Sequence, residues 1–205
     1  TNEILYLYDV AQGLAEARVA PQGKGAVLFY TWNKAADIDL ALESVFASDL
    51  CGAEVVVLNN GSTDNTGGVL KFWQDKVRQE KMRTVNLPIN IGAPAARNWL
   101  AALPEVRACD WFAYLDDDAV VPKDWLLRLG AATEAYPDAG VYGCKVLDAH
   151  NPSLIQSVDL HMNAGAMDTD MGAEIDRNFQ ISSLQLQDFD YGQFNYIRPT
   201  LSVTG

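Results

Sequence analysis

Three consecutive carboxylates, Asp116, Asp117 and Asp118, follow the apolar run WFAYL and come shortly before Pro122. Adjacent like charges repel, so a triplet of this kind at the end of a strand calls for solvent or a cation. Residues two apart in extended backbone point the same way, which predicts Asp116 and Asp118 on one ligand and Asp117 facing elsewhere. Hard oxygen donors at that spacing suit Mg2+ or Mn2+, ions that keep some waters and share phosphate oxygens. The same triplet also fits a solvated acidic turn before a helix opened by Pro122, where carboxylates favour the N-terminal dipole.

Two other segments carry polar residues in chemically useful patterns. In NNGSTDNT, Gly61 permits a tight turn with backbone close to a ligand, and Ser62, Thr63 and Asp64 are good caps for a helix beginning near Thr66. A well-capped loop without a ligand explains the segment equally well. NIGAPAARN combines a glycine turn, Pro94 near the first helical position and Arg97 one turn inside. Arg97 suits neutralisation of the aspartates or of a diphosphate; the plain alternative is a surface arginine. GKGAVL precedes a strand instead of following one, so it is no phosphate-binding loop, and GxxxxGK[ST] and GxSxG are absent. His150 and His161 lack partners at metal-ligand spacing.

These loops must be held by something regular, and the chain supplies it. From Ala26 an apolar run, a polar turn and an amphipathic segment recur four times: AVLFY with TWN, EVVVL with NNGSTDNT, RTVNL with PINIGAP, and WFAYL with DDDAVVP. Alternating strands and helices with continuous apolar strands predict an α/β fold, a mostly parallel sheet covered by helices on both faces. Every polar turn falls at the carboxyl edge, where open α/β sheets bind ligands. Residues Asn2 to about Arg18 read as a helical lead-in. Beyond Pro137, GVYGCKVLD and LIQSVDL read as strands, Asn163 to Asp176 as a loop, and FNYIRPTLSVTG as a last strand.

A chain of 205 residues, 49% hydrophobic, can bury one substantial core. Its net charge of −12 disfavours nucleic acid and anionic membrane surfaces as partners, and a diphosphate needs a local reversal of that field by a metal, a helix N-terminus or a few basic side chains. Cys51, Cys109 and Cys144 show no ligand spacing and are expected to be buried small hydrophobes in a reducing, cytoplasmic setting. No run approaches the roughly 20 apolar residues of a membrane span.

The four loops in this order resemble those of the family 2 glycosyltransferases. EVVVLNNGSTDNT is similar to the family's VDDGSTD loop, NIGAPAARN to its NxGxxxARN segment, and YLDDDAVVPKDWL to its strand and DxD motif, within a match over about Gly25 to Leu147. The resemblance implies the nucleotide-sugar-binding fold GT-A and an inverting, metal-assisted transfer of sugar from a nucleotide-diphosphate sugar, a UDP-sugar being favoured. It implies Thr31 and Asn33 beside the nucleotide, Asn59 at the base, Asp116 at the ribose or metal, and Asp118 on a Mn2+ or Mg2+ ion bridging the phosphates. Gly61, Ser62, Arg97 and Asp117 complete the expected nucleotide-binding set. The family's usual Asp is Asn59 here, whose amide can donate as well as accept.

The family's catalytic base lies in an acidic motif beyond the turn that VTG resembles, and is expected beyond Gly205. Residues 1–24 are expected as the lead-in and 25–205 as the nucleotide-sugar-binding domain, truncated on its acceptor side. The acceptor, saccharide, lipid or protein, is unspecified. Two alternatives are an inactive nucleotide-sugar-binding module and a sugar nucleotidyltransferase, the latter lacking its Gly-rich, basic first loop.

Overall fold

The computed structural model describes residues 2–77, 81–158, 160–163, 180–183, 188–192 and 194–197. The chain divides into two compact units, one running from Arg18 to Ala131 and one formed by 1–17 with 132–204.

The first of these is built on four parallel strands in the order β3-β2-β1-β4. They are β1 (Gly25–Thr31), β2 (Glu54–Asn60), β3 (Met82–Leu87) and β4 (Trp111–Leu115). Helices α2 (Ala35–Ala47) and α3 (Thr66–Val77) follow β1 and β2. After β3 come α4 (Ala93–Ala102) and the short α5 (Pro104–Arg107), and after β4 comes α6 (Trp125–Ala135). This is the mostly parallel α/β sheet that the alternating pattern predicts.

Alternation along each central strand sorts its side chains to two faces. Val27, Phe29, Val55 and Val57 pack with Ile38, Leu42, Leu70, Trp73 and Leu126 from α2, α3 and α6. Ala26, Leu28, Val56 and Leu58 pack with Ala96, Leu100 and Val106 from α4 and α5. Phe29 and Leu28 are both fully buried, each contributing on the order of 2 kcal/mol of transfer free energy. Crossovers from β1 to β2 and from β2 to β3 step one way along the sheet, whereas β3 to β4 steps back past both. Right-handed crossovers then require the intervening helices on opposite faces, as the two clusters record. The strand order reverses beside β1, so the carboxyl ends of β1 and β4 open the crevice where such sheets take ligands.

The other unit contains α1 (Asn2–Ala11), a three-stranded antiparallel sheet in the order β5-β6-β9, and a β7–β8 pair. The strands are β5 (Val146–Leu147), β6 (Leu154–Ser157), β7 (Leu160–Asn163), β8 (Gln180–Ser183) and β9 (Asp188–Phe189). Lys145 Nζ donates to Asp190 Oδ2 at 2.6 Å and Asn195 Oδ1 at 2.7 Å, tying the strand ends together.

Several expectations need correcting. The lead-in helix stops at Ala11, before Gly13 with φ 73°. GVYGCKVLD yields strand only at Val146–Leu147, since Tyr142 turns its hydroxyl back to the Tyr136 carbonyl and Val141 is exposed. The helix after β4 opens at Trp125, three residues past Pro122. Phe194 to Ile197 lie outside any strand, and 198–205 are outside the described residues, as is 164–176 of the expected loop. Cys51 and Cys109 are half-buried beside the two clusters, while Cys144 is exposed; all three are free. Among the described residues no helix is long and apolar enough to cross a membrane.

Candidate functional site

Asn33 is the joint of the crevice. Its backbone is left-handed (φ 53°), a conformation that asparagine tolerates better than most residues. Its N–H donates to Ser62 Oγ at 3.0 Å, and its Oδ1 accepts from Thr63 N at 2.7 Å. The loop after β1 is thereby fastened to the loop after β2. Asp64 adds a second fastening, accepting from Thr66 N at the start of α3 (3.0 Å) and from Ala35 N at the start of α2 (3.3 Å). Hydrogen bonding from Thr66, with the bond from Ala35 N, holds the Asp64 carboxyl below its usual range.

A set of asparagines joins β2 to the β3 side. Asn59 and Asn86 are direct register partners, and Asn59 Nδ2 donates to Asn86 Oδ1 at 3.0 Å while its Oδ1 accepts from Ser62 N at 3.1 Å. Asn60 Nδ2 donates to Asn90 Oδ1 at 2.9 Å, and Asn60 Oδ1 accepts from Ile91 N at 3.0 Å. Asn59 and Asn60 are buried, so partners for both ends of each amide are a condition of stability. Gly61 (φ 74°) sits where a Cβ would collide with the backbone of Ile89 and Asn90. Its missing side chain admits the neighbouring loop, a closer approach than the sequence anticipates.

The acidic triplet is shaped differently from the extended segment expected. After Leu115 the chain turns, with Ala119 N donating to the Asp116 carbonyl at 3.0 Å, and alternation no longer governs the side chains. Two cations reach the three like charges in this turn. Arg97 Nη2 lies 3.0 Å from Asp116 Oδ1, with its guanidinium 5.1 Å from the Tyr30 ring centre. Lys34 Nζ lies 2.7 Å from Asp118 Oδ2 and 3.1 Å from Asp117 Oδ1. Asp117 and Asp118 therefore share one partner, and Asp117 is the more buried, its side chain 12% exposed against 57% for Asp118. The hydrogen bond to Asp118, opposed by partial burial and reinforced by Asp117, raises the Lys34 ammonium well above its ordinary pKa.

Behind the turn, α2 braces the segment leading to α6. Ser44 Oγ accepts from Val121 N at 3.2 Å, and Ser48 Oγ accepts from Trp125 Nε1 at 3.1 Å. The structure thus assembles Asn33, Ser62, Arg97 and the three aspartates around the ends of β1, β2 and β4, with Gly61 at the β2 loop. Thr31 is fully buried and its Oγ1 finds no hydrogen-bond partner among the described residues. Lys34, Asn60, Asn86 and Asn90 escaped the sequence reading. For Lys34 the signal was its place directly after TWN, in the loop next to a triplet that needed cations.

Asp116 and Asp118 present exposed, hard carboxylate oxygens, and a Mn2+ or Mg2+ ion could be held by them if phosphate oxygens and waters supplied the rest. Among the described residues no three His, Cys, Asp or Glu converge as a closed cage. The donor set fits a shared-ligand ion.

The family model described as "Glycosyl transferase family 2" matches residues 26–190. No curated protein matches the chain. Among solved structures, the chain is similar to the mannosyltransferase PcManGT from Pyrobaculum calidifontis in complex with GDP-Man and Mn2+, at 19% identity and TM-score 0.51, over 74% of this chain and 49% of that one. It is also similar to TarS from S. aureus, at 22% identity and TM-score 0.53, over 68% of this chain and 24% of that one. The chain spans about half of the first structure's length (49%) and about a quarter of the second's (24%), and at these identities the likeness establishes the fold, GT-A.

Proposed function

Since the chain belongs to glycosyl transferase family 2, we propose that the crevice at the ends of β1, β2 and β4 holds a nucleotide-diphosphate sugar and that the protein transfers its sugar to an acceptor. The observation that carries this reading is the convergence of Asp116, Asp117 and Asp118 with Arg97 and Lys34 at the switch point of the sheet. The presence of GDP-Man and Mn2+ in the mannosyltransferase of the same fold supports it.

In this reading Asn33, Ser62 and Gly61 shape the nucleotide side of the crevice, with Thr31 and Asn59 one layer deeper. Because both ends of the Asn59 amide are engaged, the base meets a pre-oriented amide whose remaining donor and acceptor capacity reads it. A UDP-sugar is the favoured donor. Arg97 offers a planar guanidinium beside Asp116, suited to a phosphate oxygen. Asp116 and Asp118 would hold a Mn2+ or Mg2+ ion, which when bound supplies positive charge for the departing diphosphate.

The inverting course implied by the family resemblance needs a base for the acceptor hydroxyl. Asp148 accepts from His150 N and Asn151 N, and Asp190 is paired with Lys145. Asp159, Asp168, Asp170 and Asp176 lie outside the described residues. We place the base outside the residues assigned to the crevice. A thermal-shift screen of UDP, GDP, CDP and dTDP sugars with Mn2+ tests donor binding, a ligand at 100 times its Kd adding about 2.7 kcal/mol. Stabilisation by one donor class is the expected result, and none by any donor contradicts the proposal.

A further inference from the structure

Lys34 has a position that the donor-site reading alone does not explain. Its backbone is fixed: Asn33 anchors the preceding turn, and the Lys34 carbonyl accepts the first α2 hydrogen bond, from Ile38 N at 3.0 Å. Its side chain is free to choose a target, being 39% exposed and making no cap to its own helix. From the end of β1 it reaches the turn after β4, the neighbouring strand, and lies on Asp118 and Asp117. An ammonium is a compact point charge on a flexible stem, and can move between oxygens as a bidentate guanidinium cannot without losing its geometry.

Charge decides what such a residue does. Three aspartates against Lys34 and Arg97 leave the triplet and its two cations with one net negative charge, adverse to a diphosphate. A divalent ion on the carboxylates changes that to one net positive charge, and the ion competes with Lys34 for the same Asp118 oxygens. We propose that Lys34 is an exchangeable counter-ion: it neutralises Asp117 and Asp118 in the absence of donor, yields Asp118 to the divalent ion, and turns its ammonium to the diphosphate. The inference rests on the donor-site reading of the crevice. It makes Lys34 an antagonist of the ion and a partner of the nucleotide, two opposite effects of one side chain.

The test measures both affinities in the 205-residue chain carrying K34M and, independently, K34Q, with circular dichroism and thermal unfolding confirming the fold. Mn2+ alone is titrated by paramagnetic resonance of the free ion, and UDP and GDP are titrated calorimetrically at saturating Mn2+. Exposed ion pairs are weak, so Mn2+ should bind about 2- to 5-fold tighter and nucleoside diphosphate about 2- to 5-fold weaker in both variants. K34R should stay nearer wild type in the nucleotide titration because it keeps the charge. Changes in the same direction, or none, overturn the exchange while leaving the donor site standing. If the wild-type chain shows no Mn2+-dependent nucleotide binding, the donor-site reading falls and this inference with it.

Discussion

Asn59 and Asn86 face each other across the β2–β3 pair, and the Asn59 amide donates to the Asn86 carbonyl oxygen at 3.0 Å. The family's usual Asp at this position would set a carboxylate against that oxygen. Asn59 is buried but Asn86 is exposed to solvent, so N59D should destabilise the chain by about 0.5–1.5 kcal/mol at neutral pH, the range for one lost hydrogen bond. Urea unfolding checks it, and an unchanged midpoint would mean that Asn86 readily turns to present its amide instead.

Asp64 joins the starts of α2 and α3, and its carboxyl is held below the ordinary value by hydrogen bonding from Thr66 and Ala35. A depressed carboxylate contributes stability above its unfolded pKa, and the contribution is lost as pH falls through the folded value. D64A should cost about 0.5–2 kcal/mol at pH 7, as a lost helix cap does. The difference from wild type should shrink as pH drops below about 4, the ordinary carboxylate value. Thermal unfolding from pH 7 to 2.5 reads this, and a difference constant over that range would contradict the assignment.

Arg97 joins Asp116 to the face of Tyr30, while its carbonyl accepts the Tyr114 hydroxyl at 2.7 Å. The last contact is through backbone and survives substitution, so R97A should fold. Its nucleotide-sugar affinity should fall about 10-fold or more, charge-assisted hydrogen bonds being worth about 1.5–3 kcal/mol. R97K should recover only part, because an ammonium supplies neither the fork nor the stacking plane. Full recovery in R97K would reduce the role of Arg97 to charge alone.

Much of the fold was legible because apolar runs such as AVLFY and EVVVL are bounded by turn residues, and helical spacing follows each. The grouping of the loops was legible for the same reason, since a parallel sheet puts every strand-to-helix turn on one edge. What pattern could not supply was side-chain direction inside the turns. Alternation assigned Asp117 away from Asp118, yet alternation belongs to extended backbone and the chain turns at Asp116. The sequence likewise presents Asn59 and Gly61 as ligand-facing. Their close neighbours in space, Asn86 and the backbone of Ile89 and Asn90, lie about 30 residues away and carry no local signature. Past Pro137 the strands are short, and short runs give periodicity too little length to register.

The most direct test of the account is a calorimetric titration of nucleotide-diphosphate sugars into the chain, first with Mn2+ and then with excess EDTA. The triplet Asp116 to Asp118 and its two cations are net negative without a divalent ion, so saturable binding is expected with Mn2+ and should be lost on chelation. Equal affinity in EDTA would contradict the central claim that the aspartates receive the diphosphate through a shared cation.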